Sequence, residues 1–306
     1  MNYFCTFITM MFMSTTSWAW GFLAHQTAAK IAWDLFDAPT KSKISKLLNQ
    51  QDFVQVSTWA DKARAEQAEW KFTIWYHFEK APDNLSYLDN LKRQDAGTRK
   101  LGGLIEALYI AEDTLKNNSA SSFDKENALK FLIHFIADIH QPLHTGRIED
   151  NSGNKIPVKW LGFDMNLHQI WDSQIILLAH KDKLSGQTYE EQIQTYSDYL
   201  RTEFKDLKPT PDLFERYDDW MHESMIPRAD AYKYKDLSEE KYTAMFADTI
   251  DKRVFLAGLR IAYTVNRILN KTESTDPLTQ LRGQIVALVG NFMEFVSLTP
   301  KVSLMN

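Results

Sequence analysis

Two short stretches of this chain pair an imidazole with a carboxylate four residues on. They are His134 with Asp138 in "HFIADIHQPLH" (134–144) and His168 with Asp172 in "NLHQIWD" (166–172). On a helix, residues four apart share a face. A nitrogen and an oxygen donor then converge without backbone strain, which suits zinc or another borderline metal. A single such pair is as readily a surface ion pair. Two pairs, with His144 close after the first, point to a metal centre. His140 follows His134 by six positions, roughly 120° round a helix, so it faces elsewhere. Pro142 cannot continue a helix interior, and the turn it forces brings His144 back toward Asp138. "STWADKAR" (57–64) adds Asp61 just inside a helix start, with Arg64 three residues on. "WYHFEK" (75–80) puts His77 among aromatics, where a lone histidine reads as a core residue. His140, His180 and His222 read as structural or solvated.

A further donor depends on processing. Residues 4–13, "FCTFITMMFM", form an apolar run of ten that is too short to span a membrane. The run suits the apolar region of a secretory signal. Ser17 and Ala19 supply the small residues before a cut, although the opening "MNY" lacks a Lys or Arg. Cleavage after Ala19 makes residues 1–19 a signal peptide and 20–306 the mature protein. Trp20 then carries a free α-amine, which ordinarily titrates near ~7.7–8.0 and binds metal when deprotonated. Its carbonyl oxygen can close a chelate, and His25 is five residues away. The alternative is that Trp20 simply packs as an N-terminal anchor. Cys5, the one cysteine, leaves with the signal, so metal ligands in the mature chain are nitrogen and oxygen. The expected location is secreted or periplasmic, with no membrane anchor once the signal is gone.

The elements that must position these residues are helices. Apolar residues recur at three and four in 22–36, 102–116, 126–140, 189–205, 251–270 and 278–296. In 22–36 they place Leu23, Ala24, Thr27, Ala28, Ile31 and Phe36 near one face. Strand signal is confined to 153–168, which predicts one short hairpin around Gly162. The stretches 80–90 and 207–214 read as loop and link. No linker is long enough to separate two domains, so the fold class is all-α: a single mostly helical domain with one β-hairpin. The net charge of -5 and the absence of a dense Lys/Arg run exclude a protein that holds long duplex DNA by neutralising phosphates.

Taken in order, W-x4-H, W-A-D, a His among aromatics, H-x3-D-I-H-Q-P-L-H, G-N and N-L-H-x2-W-D resemble the zinc-dependent single-strand nucleases of the S1/P1 type, the mung bean nuclease family. The resemblance implies three zinc ions in a cleft of a mostly helical fold. Asp61, His77, His134 and Asp138 look like the ligands of one zinc. Trp20, by its amine and carbonyl, and His25 look like those of a second, with Asp138 bridging the two. His144, His168 and Asp172 look like the set for the third. Arg64 and Asn154 resemble the residues that meet the scissile phosphate, and Phe78 resembles the aromatic on which a base stacks. Zinc-bound water would then supply the nucleophile for in-line attack on phosphorus. The implied activity is endonucleolytic hydrolysis of single-stranded DNA and RNA to 5′-phosphates, with action on 3′-mononucleotides, by a monomer. Base stacking explains selection of unpaired strands without a basic stripe. "NSGN" (151–154) departs from the family's G-G-N by Ser152, and Lys80 stands where relatives often carry Asp or Asn. A zinc phospholipase C shares the three-metal plan but typically ends in His-x3-Glu, whereas this chain ends in Asp172. A metal-binding protein with a dead site is the other alternative, and Arg64 and Asn154 beside a full ligand set argue against it.

Overall fold

A computed structural model describes residues 20–83, 103–207 and 217–270. Helices form where the apolar period runs, and their starts are set by small polar caps. α1 is Phe22–Leu35. α2 (Ala38–Leu47) opens on Asp37, whose carboxylate accepts from Thr40 N. α3 (Phe53–Val56) opens on Asp52 in the same way and leads into α4 (Trp59–Glu66) and a 3-10 run, Ala68–Tyr76. α5 is Leu104–Lys116 and α6 is Ser122–Asp138. The chain then turns through a 3-10 segment, Pro142–Thr145, into the hairpin β1 (Pro157–Trp160) and β2 (Phe163–Asn166). The strands are antiparallel, with Trp160 opposite Phe163. Leu161 and Gly162 between them both have positive φ, 47° and 87°, as a tight hairpin turn requires. α7 (Leu167–Gln169) widens into a π-helical turn, Ile170–Gln174, before α8 (Ile175–Ala179) and α9 (Lys181–Leu184). α10 (Tyr189–Glu203) starts with a Thr188/Glu191 capping box. α11 (Tyr217–Ala231), a 3-10 turn and α12 (Glu239–Asn270) complete the described chain.

The hairpin and the all-helical class are as the sequence predicts, but several boundaries move. α6 begins at Ser122 because the Ser121 hydroxyl accepts from Asp124 N, and it ends at Asp138. α12 begins at Glu239 rather than 251. α11 carries Pro227 inside it and no clear apolar face, so periodicity gives no sign of it. The leader 1–19, residues 84–90 of the expected loop, residues 208–214 of the expected link and the segment 278–296, expected to be helical, lie outside the described residues. α1 is not one-sided: His25, Gln26 and Ala29 are buried along with the expected face. It is enclosed by α12, α10 and α3, so nearly its whole circumference is interior. Among the described residues no helix is long and apolar enough to cross a membrane.

The α1–α12 crossing is close because small residues line it. Ala24, Ala28 and Ala32 are fully buried on α1, and a Cβ at Gly258 of α12 would lie 2.7 Å from Ile31 Cβ and 2.9 Å from Ala28 O. Gly258→Ala is therefore expected to destabilise the fold by about 1–3 kcal/mol through overpacking. Chemical denaturation measures it, and an unchanged midpoint would show that the helices separate freely.

Beyond the end of α6 the chain is held by an ionic cluster in which Arg253 and Arg260 are buried and Glu223 is half-buried. Glu223 Oε1 and Oε2 accept from Arg260 at 2.7 Å each, and Arg253 Nη1 donates to Glu223 Oε2 at 2.7 Å. Arg260 Nη1 also lies 2.8 Å from His140 Nε2, and His140 Nδ1 lies 2.6 Å from Ile136 O. Burial, with Arg253 and Arg260 beside it, drives the His140 pKa well below the ordinary imidazole value. His140 is a structural acceptor, as its helix-face position predicts. His180 is likewise structural, 2.9 Å from Asp251 Oδ1, and His222 is half-buried on α11.

Candidate metal centre

α6 delivers His134 and Asp138 on one face, and both are fully buried. Four other segments close on that face: α1 with His25, α4 with Asp61, the end of the 3-10 run with His77, and the Pro142 turn with His144. His77 Nδ1 lies 3.0 Å from both Asp138 Oδ2 and His134 Nε2, and 3.6 Å from Asp61 Oδ1. His134 Nε2 is 3.2 Å from Asp138 Oδ2 and 3.9 Å from Asp61 Oδ2. These separations of 3.0–3.9 Å are near the donor–donor spacing of about 3.3 Å that metal–ligand bonds of ~2.0–2.1 Å require in a tetrahedral site. The other oxygen of Asp138, Oδ1, is 3.3 Å from His25 Nε2. His25 stacks on His134 with ring centroids 4.1 Å apart. One carboxylate thus faces two donor groups. A third group forms where His168 and Asp172 meet His144: His168 Nε2 is 3.5 Å from Asp172 Oδ2, and His144 Nε2 is 3.7 Å from Asp172 Oδ1. Three trios bring their donor atoms close enough to hold a metal ion, His25 with His134 and Asp138, Asp61 with His77 and His134, and His144 with His168 and Asp172, so that His134 is common to the first two.

Two observations show that the donors suit metal rather than one another. Several are buried with no hydrogen-bond partner: His25 Nε2, Asp61 Oδ2, Asp138 Oδ1 and His144 Nε2. Orphaned buried polar atoms are costly, so they call for a ligand. The opposite ring nitrogens are anchored to backbone carbonyls: His134 Nδ1 to Ser57 O, His144 Nδ1 to His77 O and His168 Nδ1 to Ser152 O, each at 2.7 Å. A carbonyl accepts, so Nδ1 carries the hydrogen and Nε2 keeps its lone pair for the metal, the usual support for a ligating histidine.

The electrostatics divide the rings: against the opposing effect of burial, Asp138 and Asp61 raise the pKa of His134, and Asp138 with Asp172 raises that of His144, whereas the other three imidazoles are lowered. Burial lowers the pKa of His77 to about 4, despite Asp138 alongside, and it also lowers His25 and His168. These rings stay neutral and able to ligate at neutral pH. Burial opposes ionisation of Asp138, but His134 and His144 outweigh it and hold the carboxyl well below its ordinary value. Asp61 is lowered in the same sense by His134, His77 and Arg64.

A cleft of about 280 Å³ opens above the buried donors, and Arg64, His77, Phe78, His144, Asn154 and His168 are on its wall. Arg64 grips Asp61 Oδ1 through Nε at 3.0 Å and Nη2 at 2.9 Å, so its guanidinium is oriented at the cleft. Asn154 Nδ2 donates to Asn151 O at 2.9 Å. Phe78 is half-buried and meets Trp75 edge-on, with centroids 6.0 Å apart. Trp20 is fully buried, and the amide of Gly21 donates to Asp172 O at 2.8 Å, which ties the start of the described chain to the third donor group. A Cβ at Gly21 would lie 2.9 Å from the backbone oxygen of Asp172 and would also meet Ser173 Oγ, so glycine suits that approach.

Some supporting residues leave no local sequence signal. Gln141 Nε2 donates to Asp172 Oδ1 at 2.7 Å and fixes that carboxylate. Arg228, buried on α11, donates to the carbonyls of Ala81 and Thr145, clamping the chain beyond His77 to the turn that carries His144. Asn151, Ser152 and Gly153 follow one another at φ 54°, 60° and 80°. Ser152 is the departure from G-G-N, and it occupies a left-handed position that glycine adopts without strain. Its carbonyl is the one that orients His168.

Comparison with known proteins gives a consistent picture. The family model described as S1/P1 Nuclease matches residues 20–270. Endonuclease 2 of Arabidopsis thaliana is 28% identical over 284 residues, covering 85% of this chain and 94% of that protein. Nuclease S1 of Aspergillus oryzae is 31% identical over 234 residues, covering 72% of this chain and 77% of its own length. Nuclease P1 of Penicillium citrinum is 33% identical over 158 residues, covering 50% of this chain and 57% of its own.

Proposed function

The chain belongs to the S1/P1 nuclease family, a family of metal-dependent nucleases, and on that premise we propose that it uses three zinc ions to hydrolyse single-stranded DNA and RNA to 5′-phosphates. The reading includes 3′-nucleotidase action on 3′-mononucleotides. The observation that carries it is the set of orphaned donors around Asp138, His25 Nε2, Asp61 Oδ2 and His144 Nε2 among them, with the rings of His134 and His144 oriented by backbone carbonyls. Asp61, His77, His134 and Asp138 would hold one ion. His25, the amine and carbonyl of Trp20, and the second oxygen of Asp138 would hold another. His144, His168 and Asp172 would hold the third. Bound zinc would lower the pKa of water to supply a nucleophile and would neutralise charge on the departing 3′ oxygen.

The remaining work falls to this chain's own side chains. Arg64, its Nε and one Nη committed to Asp61, presents a fixed cation to the non-bridging phosphoryl oxygens. Asn154, which lines the same cleft, would offer its amide to the same oxygens. Phe78 takes a base on its ring, which only an unpaired nucleotide can offer. The rival phospholipase C reading has no counterpart among relatives named as nucleases and endonucleases. The mature enzyme begins at Trp20, is exported to the periplasm or beyond, and acts as a monomer.

Hydrolysis of single-stranded against duplex DNA tests the reading. The expected result is strong preference for the single strand, abolished by a chelator and restored by zinc. Equal action on both, or turnover indifferent to chelation, would refute it.

A further inference from the structure

Beside Phe78 stands a charged side chain whose chemistry distinguishes one base from another. Lys80 Nζ lies 4.4 Å from the Phe78 ring centroid and donates to Asn151 Oδ1 at 2.6 Å. Lys80 is only 7% exposed. Its holder is itself fixed, since Asn151 begins the run of three left-handed residues that ends at Gly153. A cation–π contact and a hydrogen bond therefore hold the ammonium at the wall of the cleft. Phe78, Lys80 and Asn151 all line that cleft with Arg64.

An ammonium has three donors and no acceptor, whatever else it bonds. A base that stacks on Phe78 takes the ring face from the ammonium, which stays tethered to Asn151 and meets the polar edge of the base. Guanine offers the acceptor O6 there and thymine or uracil the acceptor O4, while N7 is common to guanine and adenine and does not tell them apart. Adenine and cytosine carry amino groups at the corresponding positions, whose hydrogens a cation repels. We propose that Lys80 is a specificity-determining residue that makes this enzyme favour keto bases, guanine and thymine or uracil, over the amino bases adenine and cytosine, at the nucleotide stacked on Phe78. The proposal rests on the nuclease reading of the cleft and on Phe78 as the stacking platform.

The test is steady-state hydrolysis of all the deoxydinucleotides, so that the base on each side of the scissile phosphate is varied in turn. The expected result is a keto preference of about tenfold in kcat/KM on one side, carried by KM, the size of one charge-assisted hydrogen bond. Lys80→Met removes the donors while keeping the stem, and should bring the ratio near unity with kcat little changed. Lys80→Arg, still donor-only, should retain the keto preference. Zinc content and thermal melting establish that each variant is folded. Equal kcat/KM across bases in the wild-type enzyme overturns the assignment and leaves the nuclease reading intact. A loss in Lys80→Met that is uniform over all bases assigns the lysine to phosphate instead and also overturns it. Failure of the zinc-loaded enzyme to cleave any dinucleotide or single strand strikes the underlying reading.

Discussion

Asp138→Ala is expected to release two zinc ions together and to lower turnover on the order of a thousandfold or more. The reason is the division of labour within one carboxylate. Oδ2 faces His77 Nδ1 at 3.0 Å and His134 Nε2 at 3.2 Å, whereas Oδ1 faces His25 Nε2 at 3.3 Å. Each oxygen serves a different donor group, so one truncation takes a ligand from both. Removing it also leaves three imidazoles facing each other without the charge that balances two dications. A paired-metal site contributes several kcal/mol of transition-state stabilisation, and about 4 kcal/mol already corresponds to roughly a thousandfold. Metal analysis of the purified variant reads the count directly. Loss of one ion, with the second retained, would show that Asp138 does not bridge. Asp172→Ala is the natural control, since its carboxylate belongs to the third group and its loss should leave the pair around Asp138 in place.

Residues left ahead of Trp20 are expected to remove one zinc and to cut activity by roughly a hundredfold, in line with the loss of a supporting ligand interaction in metal sites. An α-amine has a lone pair once deprotonated, whereas the nitrogen of a peptide bond has given its lone pair to the carbonyl. Trp20 is fully buried, and Gly21 is pinned to the Asp172 carbonyl with no room for a side chain. The geometry of the first two residues is therefore set by the body of the protein. An extension changes the chemistry of the nitrogen with little need to change its position. Two preparations decide the matter, one beginning at Trp20 and one verified by mass to carry extra residues. Proteolytic trimming of the second should restore both the zinc and the rate. Full activity in the untrimmed form would remove the amine from the site.

What the sequence makes legible is the part of the site that obeys helical spacing. His134 and Asp138, and His168 and Asp172, are four apart and meet at 3.2 and 3.5 Å. The second pair does so although the helix widens to a π turn between them, which the spacing alone does not reveal. His140 is correctly turned away, because a six-residue step cannot return to the same face. The supporting residues obey no such rule. Gln141 reaches Asp172 from 31 positions away, and Arg228 reaches Thr145 from 83. Their roles come from tertiary approach, which leaves no period in the chain. The same limit explains α11: its apolar residues are spread round the helix, and its burial is set by its neighbours rather than by a stripe. Enclosure of α1 on nearly all sides also escaped the amphipathic pattern, since alanine counts as apolar on any face. Lys80 is visible in the sequence as a departure from relatives, but its place over Phe78 is not.

Crystals of the protein beginning at Trp20, measured at the zinc absorption edge, test the account most directly. Three anomalous peaks are predicted in one cleft. Two should lie within bonding distance of Asp138, one on the side of Asp61, His77 and His134 and one on the side of His25 and the Trp20 amine. The third should lie among His144, His168 and Asp172. A map in which no pair of peaks shares Asp138, or in which the ions sit away from these side chains, would contradict it.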